Sequence, residues 1–117
     1  MPPPTQLTAA RGNGRRVFRL VRGHADDWKS DYELQRQPRP PARANALIYM
    51  GLSMWSAMED ALEANGRCRP PFEDVAAVEL RGEEGIWFAR TFGPGHYTVW
   101  GRAEALQRCV VEIVSLR

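Results

Sequence analysis

The chain has 117 residues, a hydrophobic fraction of 44% and a net charge of +2. That length suits one ordinary domain and not two, and this apolar content excludes a disordered chain. The weak charge gives no ground for a polyanion-binding role, although arginine carries nearly all of the positive charge, Lys29 being the only lysine.

Residues 1–14 are rich in proline, glycine and polar residues and read as a flexible tail ahead of a single domain over 15–117. "RRVFRLVRG" follows as a strand, with Val17, Arg19 and Val21 on one face, Phe18, Leu20 and Arg22 on the other, and Gly23 as terminator. The segment from Asp31 to Arg36 suits a short turn of helix. Pro38, Pro40 and Pro41 end it in an extended loop. "ALIYMG" is a short apolar run closed by Gly51. Met54, Ala57, Met58, Ala61 and Leu62 then recur at helical spacing. Ser56 with Glu59 fits a capping box, Ser53 is an alternative N-cap, and Asn65-Gly66 is a stop signal. "DVAAVELRG", "IWFARTF", "HYTVWG" and "CVVEIVSL" read as four later strands, with a turn at Glu83-Glu84-Gly85 and another at "GPG". Residues 103–108 suit either a helical turn or a bulged connection. About six strands, one main helix and room for a short second one give the α+β class, because the strands cluster after the helix.

Cys68 and Cys109 form no metal-ligand spacing and no disulfide framework, and Cys109 opens an apolar strand as a small hydrophobe would. The N-terminus has no apolar signal core, and no run of about 18 apolar residues occurs. The expectation is a soluble, cytoplasmic protein with no membrane partner.

Several residues offer chemistry. Arg19 faces away from Phe18 and Leu20; in a cleft its planar fork would grip a pyrophosphate or carboxylate, and on an edge strand it would only block aggregation. Tyr49 and Ser53 flank the Gly51 junction. A tyrosine there can stack on a flat ring, and a helix N-terminus at Ser53 would offer N–H groups to an anion; packing and capping are the plain alternatives. His96 sits at a glycine-rich turn, placed for a substrate hydrogen bond, a general base or a structural contact. Glu112 shares a strand face with Val110 and Val114. A carboxylate on an apolar face needs an ion pair or a chemical role, such as facing a developing oxocarbenium ion. Glu79 raises the same question. Weak net charge and the lack of a basic cluster argue against a nucleic-acid partner.

"RVFRLVR", "LIYMGLSMWSAMEDALE" and the late strands together resemble the small split-sheet fold of ADP-ribosyltransferases, and most of all the RES-domain branch of NAD-consuming bacterial toxins. Phe18-Arg19 is similar to the aromatic-Arg strand of that branch. Tyr49, Gly51 and Ser53 are similar to its junction into an Ala/Leu-rich helix. The ending also resembles the tail of small antibiotic-modifying transferases. The resemblance implies a split, mostly antiparallel sheet with NAD in a cleft as substrate. Arg19 would hold the pyrophosphate or the nicotinamide-side ribose, and Tyr49 would stack on nicotinamide; Ser53 from the junction, and His96 from its own position at the glycine-rich turn, join them as expected cofactor-binding residues. The catalytic carboxylate falls on Glu59 or Glu63 by the RES pattern and on Glu112 by the transferase pattern; Glu112 is the choice carried forward. The late serine of the RES pattern has no match. The implied activity is cleavage of the nicotinamide–ribose bond, with ADP-ribose passed to a macromolecular target or to water, as in a toxin with a protein target or cognate inhibitor. The second class is a non-enzymatic interaction module: an antitoxin, an immunity protein or a transferase-like adaptor using exposed Trp and Arg side chains.

Overall fold

A computed structural model describes residues 8–39, 43, 45–93 and 95–117. Residues 1–7 of the expected tail, and Pro40 and Pro41 of the expected proline loop, lie outside the described residues. The elements in chain order are β1 (Ala10–Arg11), β2 (Asn13–Val21), a 3-10 turn (Ala25–Trp28), α1 (Ala46–Tyr49), β3 (Leu52–Trp55) and α2 (Met58–Asn65). They continue with β4 (Asp74–Arg81), a second 3-10 turn (Gly82–Glu84), β5 (Trp87–Arg90), β6 (His96–Trp100), α3 (Ala103–Arg108) and β7 (Val110–Ser115). The fold is α+β, with one seven-stranded sheet in the order β1-β5-β6-β3-β2-β4-β7. Every described pairing is antiparallel.

Alternation along β2 supplies both sheet faces. Val17 and Val21 join Met54, Val78, Leu80, Val99 and Leu106 in the larger core, closed by Trp28 of the first 3-10 turn and by α3. Leu20 and Val75 meet Ala61 and Ala64 of α2 on the opposite face, with Phe18, Trp55 and Phe72 packed around them. Leu80, like Val17 and Val78, is fully buried, and each such aliphatic side chain contributes about 1.5–3 kcal/mol through removal from water.

Three local expectations change. Residues 10–14, expected in the tail, form β1 and the start of β2. The apolar run before Gly51 is a short helix, started by the Asn45 side chain accepting the Leu47 N–H at 2.9 Å. Met54, assigned by its spacing to the main helix, lies on β3 instead, because Leu52 and Met54 pair with Val99 and Tyr97 of β6. The main helix therefore begins after Ala57, with no side-chain cap from Ser53 or Ser56. Gly51 permits this tight passage: a Cβ there would collide with the Thr98 side chain. Among the described residues, no helix is long and apolar enough to cross a membrane.

Candidate functional site

The sheet is nearly divided at its centre. β2 and β3 share one register pair, Phe18↔Trp55, and beyond it the strands part. Arg19 occupies the parting. Its Nε donates to the Asp27 carbonyl at 2.7 Å and its Nη1 to the Ser53 carbonyl at 2.8 Å. A side chain thus replaces part of the missing ladder at Ser53, whose carbonyl a continuous sheet would pair, and ties that strand to the 3-10 turn at Asp27. Burial lowers the Arg19 pKa to about 10, while Asp27 and Asp31 act in the opposite direction, so it remains a cation at neutral pH. Nη2 has no hydrogen-bond partner among the described residues, and Arg19 lines the cleft described below.

The turn beyond β2 is fixed by the buried Asp27. Its carboxylate accepts the N–H groups of Arg22 and Gly23, each at 2.8 Å, and that of His24 at 2.9 Å. Arg22 lies across the 70–72 loop, donating to the carbonyls of Pro70 and Pro71 and stacking 3.9 Å above the Phe72 ring. A cleft of about 780 Å³ opens between these parts. Arg19, Tyr49 and Ser53 all line it, as the sequence reading requires for a shared ligand site. So do Arg22, Arg36, Arg39, Arg67 and Arg69, giving six arginines against three aspartates, Asp26, Asp27 and Asp31. Among the described residues no glutamate lines it.

The individual side chains differ in how free they are. Tyr49 donates its hydroxyl to the Arg36 carbonyl and meets Tyr32 edge-on, with ring centroids 5.7 Å apart. Arg36 is ion-paired with Asp31 at 3.8 Å, and Arg67 with Glu63 at 3.6 Å. Arg39 has no side-chain partner among the described residues and is exposed. Ser53 lies mid-strand on β3, opposite Thr98, so it caps no helix. The start of α2 does not line the cleft either, which removes the expected anion site at a helix N-terminus.

His96 is buried behind the cleft wall. Its Nδ1 is 2.6 Å from the Thr91 hydroxyl, which also receives the Thr98 hydroxyl, and its ring stacks on Phe92. Burial lowers its pKa to about 4, leaving it neutral at pH 7. His96 therefore touches the cleft through Phe92, a lining residue that the sequence did not single out. The loop "RCRPP", legible in the sequence as a loop but not as part of a site, contributes Arg67, Cys68, Arg69 and Pro70 to the lining.

Glu112 does not reach the cleft. β7 is the sheet's outer strand, beyond β4, and Glu112 is exposed there opposite Ala77. A register shift between Ala77 and Val78 disturbs the simple alternation that placed Glu112 on a buried face with Val110 and Val114. Glu59 and Glu63 on α2 also lie outside the cleft lining. Glu79 is ion-paired with Arg16 at 3.4 Å. No family model matches the chain, and no curated protein or solved structure matches it.

Proposed function

We propose that the cleft binds NAD and that the protein belongs functionally with ADP-ribosyl-transferring or NAD-hydrolysing enzymes. Convergence of Arg19, Tyr49 and Ser53 on one arginine-rich cleft, at the point where β2 and β3 separate, is the observation that carries this. A volume of about 780 Å³ suits a ligand of that size. The Nη2 end of Arg19 and the side chain of Arg39, neither with a partner among the described residues, would meet the pyrophosphate, where planar forks match phosphate oxygens. In the reaction the C1′–N bond breaks with its electron pair going to nicotinamide. An oxygen of water or of a target then bonds to C1′ and gives up its proton. A carboxylate facing C1′ stabilises the positive charge that develops. Asp31 takes that role here in place of Glu112, because it lies on the cleft wall near enough to act on the Arg19 charge, whereas Asp27 is committed to three backbone N–H groups and Asp26 is ion-paired with Lys29 at 3.7 Å.

The experiment is nicotinamide release from NAD together with thermal unfolding in its presence. At ligand concentrations near 100 times Kd the native state gains about 2.7 kcal/mol, a shift of about 10 °C in Tm. Wild type releases nicotinamide, Asp31→Asn loses most of that release, and Glu112→Gln keeps it. A wild type with neither release nor a thermal shift ends the proposal. An interaction module is then the better account, and the exposed Val111 and Ile113 on outer strand β7 favour it.

A further inference from the structure

Two aromatic side chains border the cleft in very different states. The Tyr49 hydroxyl is bound to the Arg36 carbonyl, and its ring is held edge-on to Tyr32 at an interplanar angle of 86°. It acts as a brace between α1 and the 32–36 turn. Phe92 is 42% exposed and reaches the cleft from the β5–β6 connection. Among the described residues its ring stacks on the His96 imidazole alone, at a centroid distance of 3.9 Å and an interplanar angle of 26°.

A single exposed aromatic is ordinary on a protein surface. What distinguishes Phe92 is its support. His96 is 5% exposed, held by the Thr91 hydroxyl at Nδ1 and by Trp55 edge-on at 5.4 Å. The base of the connection is anchored as well, because the Gly95 carbonyl accepts the Ser56 N–H at 2.7 Å. Gly95, at φ +81°, takes a backbone conformation that favours glycine, and a Cβ there would displace the Asp60 carboxylate. The ring is thus held in place before any ligand arrives, which reduces the ordering needed on binding. Phe92, 42% exposed, lines a concavity that it shares with six arginines.

We propose that Phe92 is the platform on which the ligand's planar ring stacks, while the arginines hold its phosphates. The site is thereby matched to a ligand with a flat heteroaromatic ring at one end and a pyrophosphate beyond it. This rests on the reading of the cleft as an NAD site and moves the stacking role from Tyr49 to Phe92.

Calorimetric titration of NAD and of inorganic pyrophosphate into wild type, Phe92→Leu and Phe92→Trp tests it. Leucine keeps apolar bulk but has no π-face, and the position is exposed enough for the fold to persist, as an unchanged Tm will verify. Phe92→Leu is expected to weaken NAD binding about tenfold, given the usual strength of base–aromatic stacking. Pyrophosphate binding should be unaltered, and Phe92→Trp should recover NAD affinity. Recovery in Phe92→Trp decides the matter even where pyrophosphate alone binds too weakly to titrate. NAD binding equal in wild type and Phe92→Leu overturns the platform and leaves the NAD site standing. Parallel loss of NAD and pyrophosphate in Phe92→Leu also overturns it, assigning Phe92 to cleft shape. Failure of the wild type to bind NAD removes the NAD site and the platform with it.

Discussion

Along its β4 side, β2 forms a ladder of eight register pairs running from Asn13↔Arg81 to Val21↔Asp74, whereas along its β3 side it keeps one, Phe18↔Trp55. The first joint is a long ladder, interrupted once by a register shift between Asn13 and Arg15, with Val17, Val78 and Leu80 beneath it. The second is held by a guanidinium. Where β2 and β3 part, the Ser53 carbonyl is left to Arg19, and the same divergence opens the cleft. The joint weakest in backbone pairing is therefore the one that carries the candidate site. This accords with the general placement of ligand sites where regular structure is interrupted.

If the two joints are as unequal as they look, removing the guanidinium should open one and spare the other. Arg19→Met keeps much of the side chain's bulk but leaves the Asp27 and Ser53 carbonyls without their donor. The expected loss is about 3 kcal/mol of unfolding free energy in urea. Hydrogen exchange should show β3 and β6 amides losing protection while the β2–β4 ladder retains it. Equal loss on both sides of β2 would mean that the sheet opens as one unit and that the contrast is only geometric.

The β3 side also contains the buried imidazole, which sharpens the contrast by pH. With the His96 pKa lowered from 6.5 to about 4, the unfolded chain takes up its proton first as pH falls. Stability from this group is unchanged above about pH 6.5, declines between there and about pH 4, and levels off below, for a total on the order of 3 kcal/mol. His96→Phe keeps a ring behind Phe92 and abolishes this titration. The stability gap between wild type and His96→Phe, measured by urea unfolding at pH 7 and at pH 4.5, should move in favour of the variant at the lower pH. A gap independent of pH would show that the imidazole is not held neutral.

The smallest effect belongs to the cleft's outer wall. Tyr49→Phe removes one hydrogen bond, to the Arg36 carbonyl, from a half-buried ring. About 0.5–1 kcal/mol is expected, with faster proteolysis around residues 32–36 and little change in either joint of β2. A loss as large as that of Arg19→Met would make the 32–36 turn part of the sheet's own support.

The sequence by itself determined most of the strands, because side-chain alternation is a local property: Val17 to Val21, Asp74 to Arg81 and His96 to Trp100 are strands as their patterns require. It also determined that Cys109 is a buried small hydrophobe and that Arg19 faces the opposite way from Leu20. It misplaced the segment 46–57. Helical spacing from Ala57 through Leu62 extends by chance back to Met54, and only pairing with Val99 and Tyr97 makes Leu52–Trp55 a strand. Glu112 looked buried because local alternation cannot show that a strand lies at the sheet's edge or that its register shifts. Tertiary structure alone brought residue 19 to residues 27 and 53, and placed Phe92 and the 67–72 loop around the same hollow. Period and propensity act over a few residues, whereas a cleft is made by contacts among segments tens of residues apart, and those depend on which strand finds which partner.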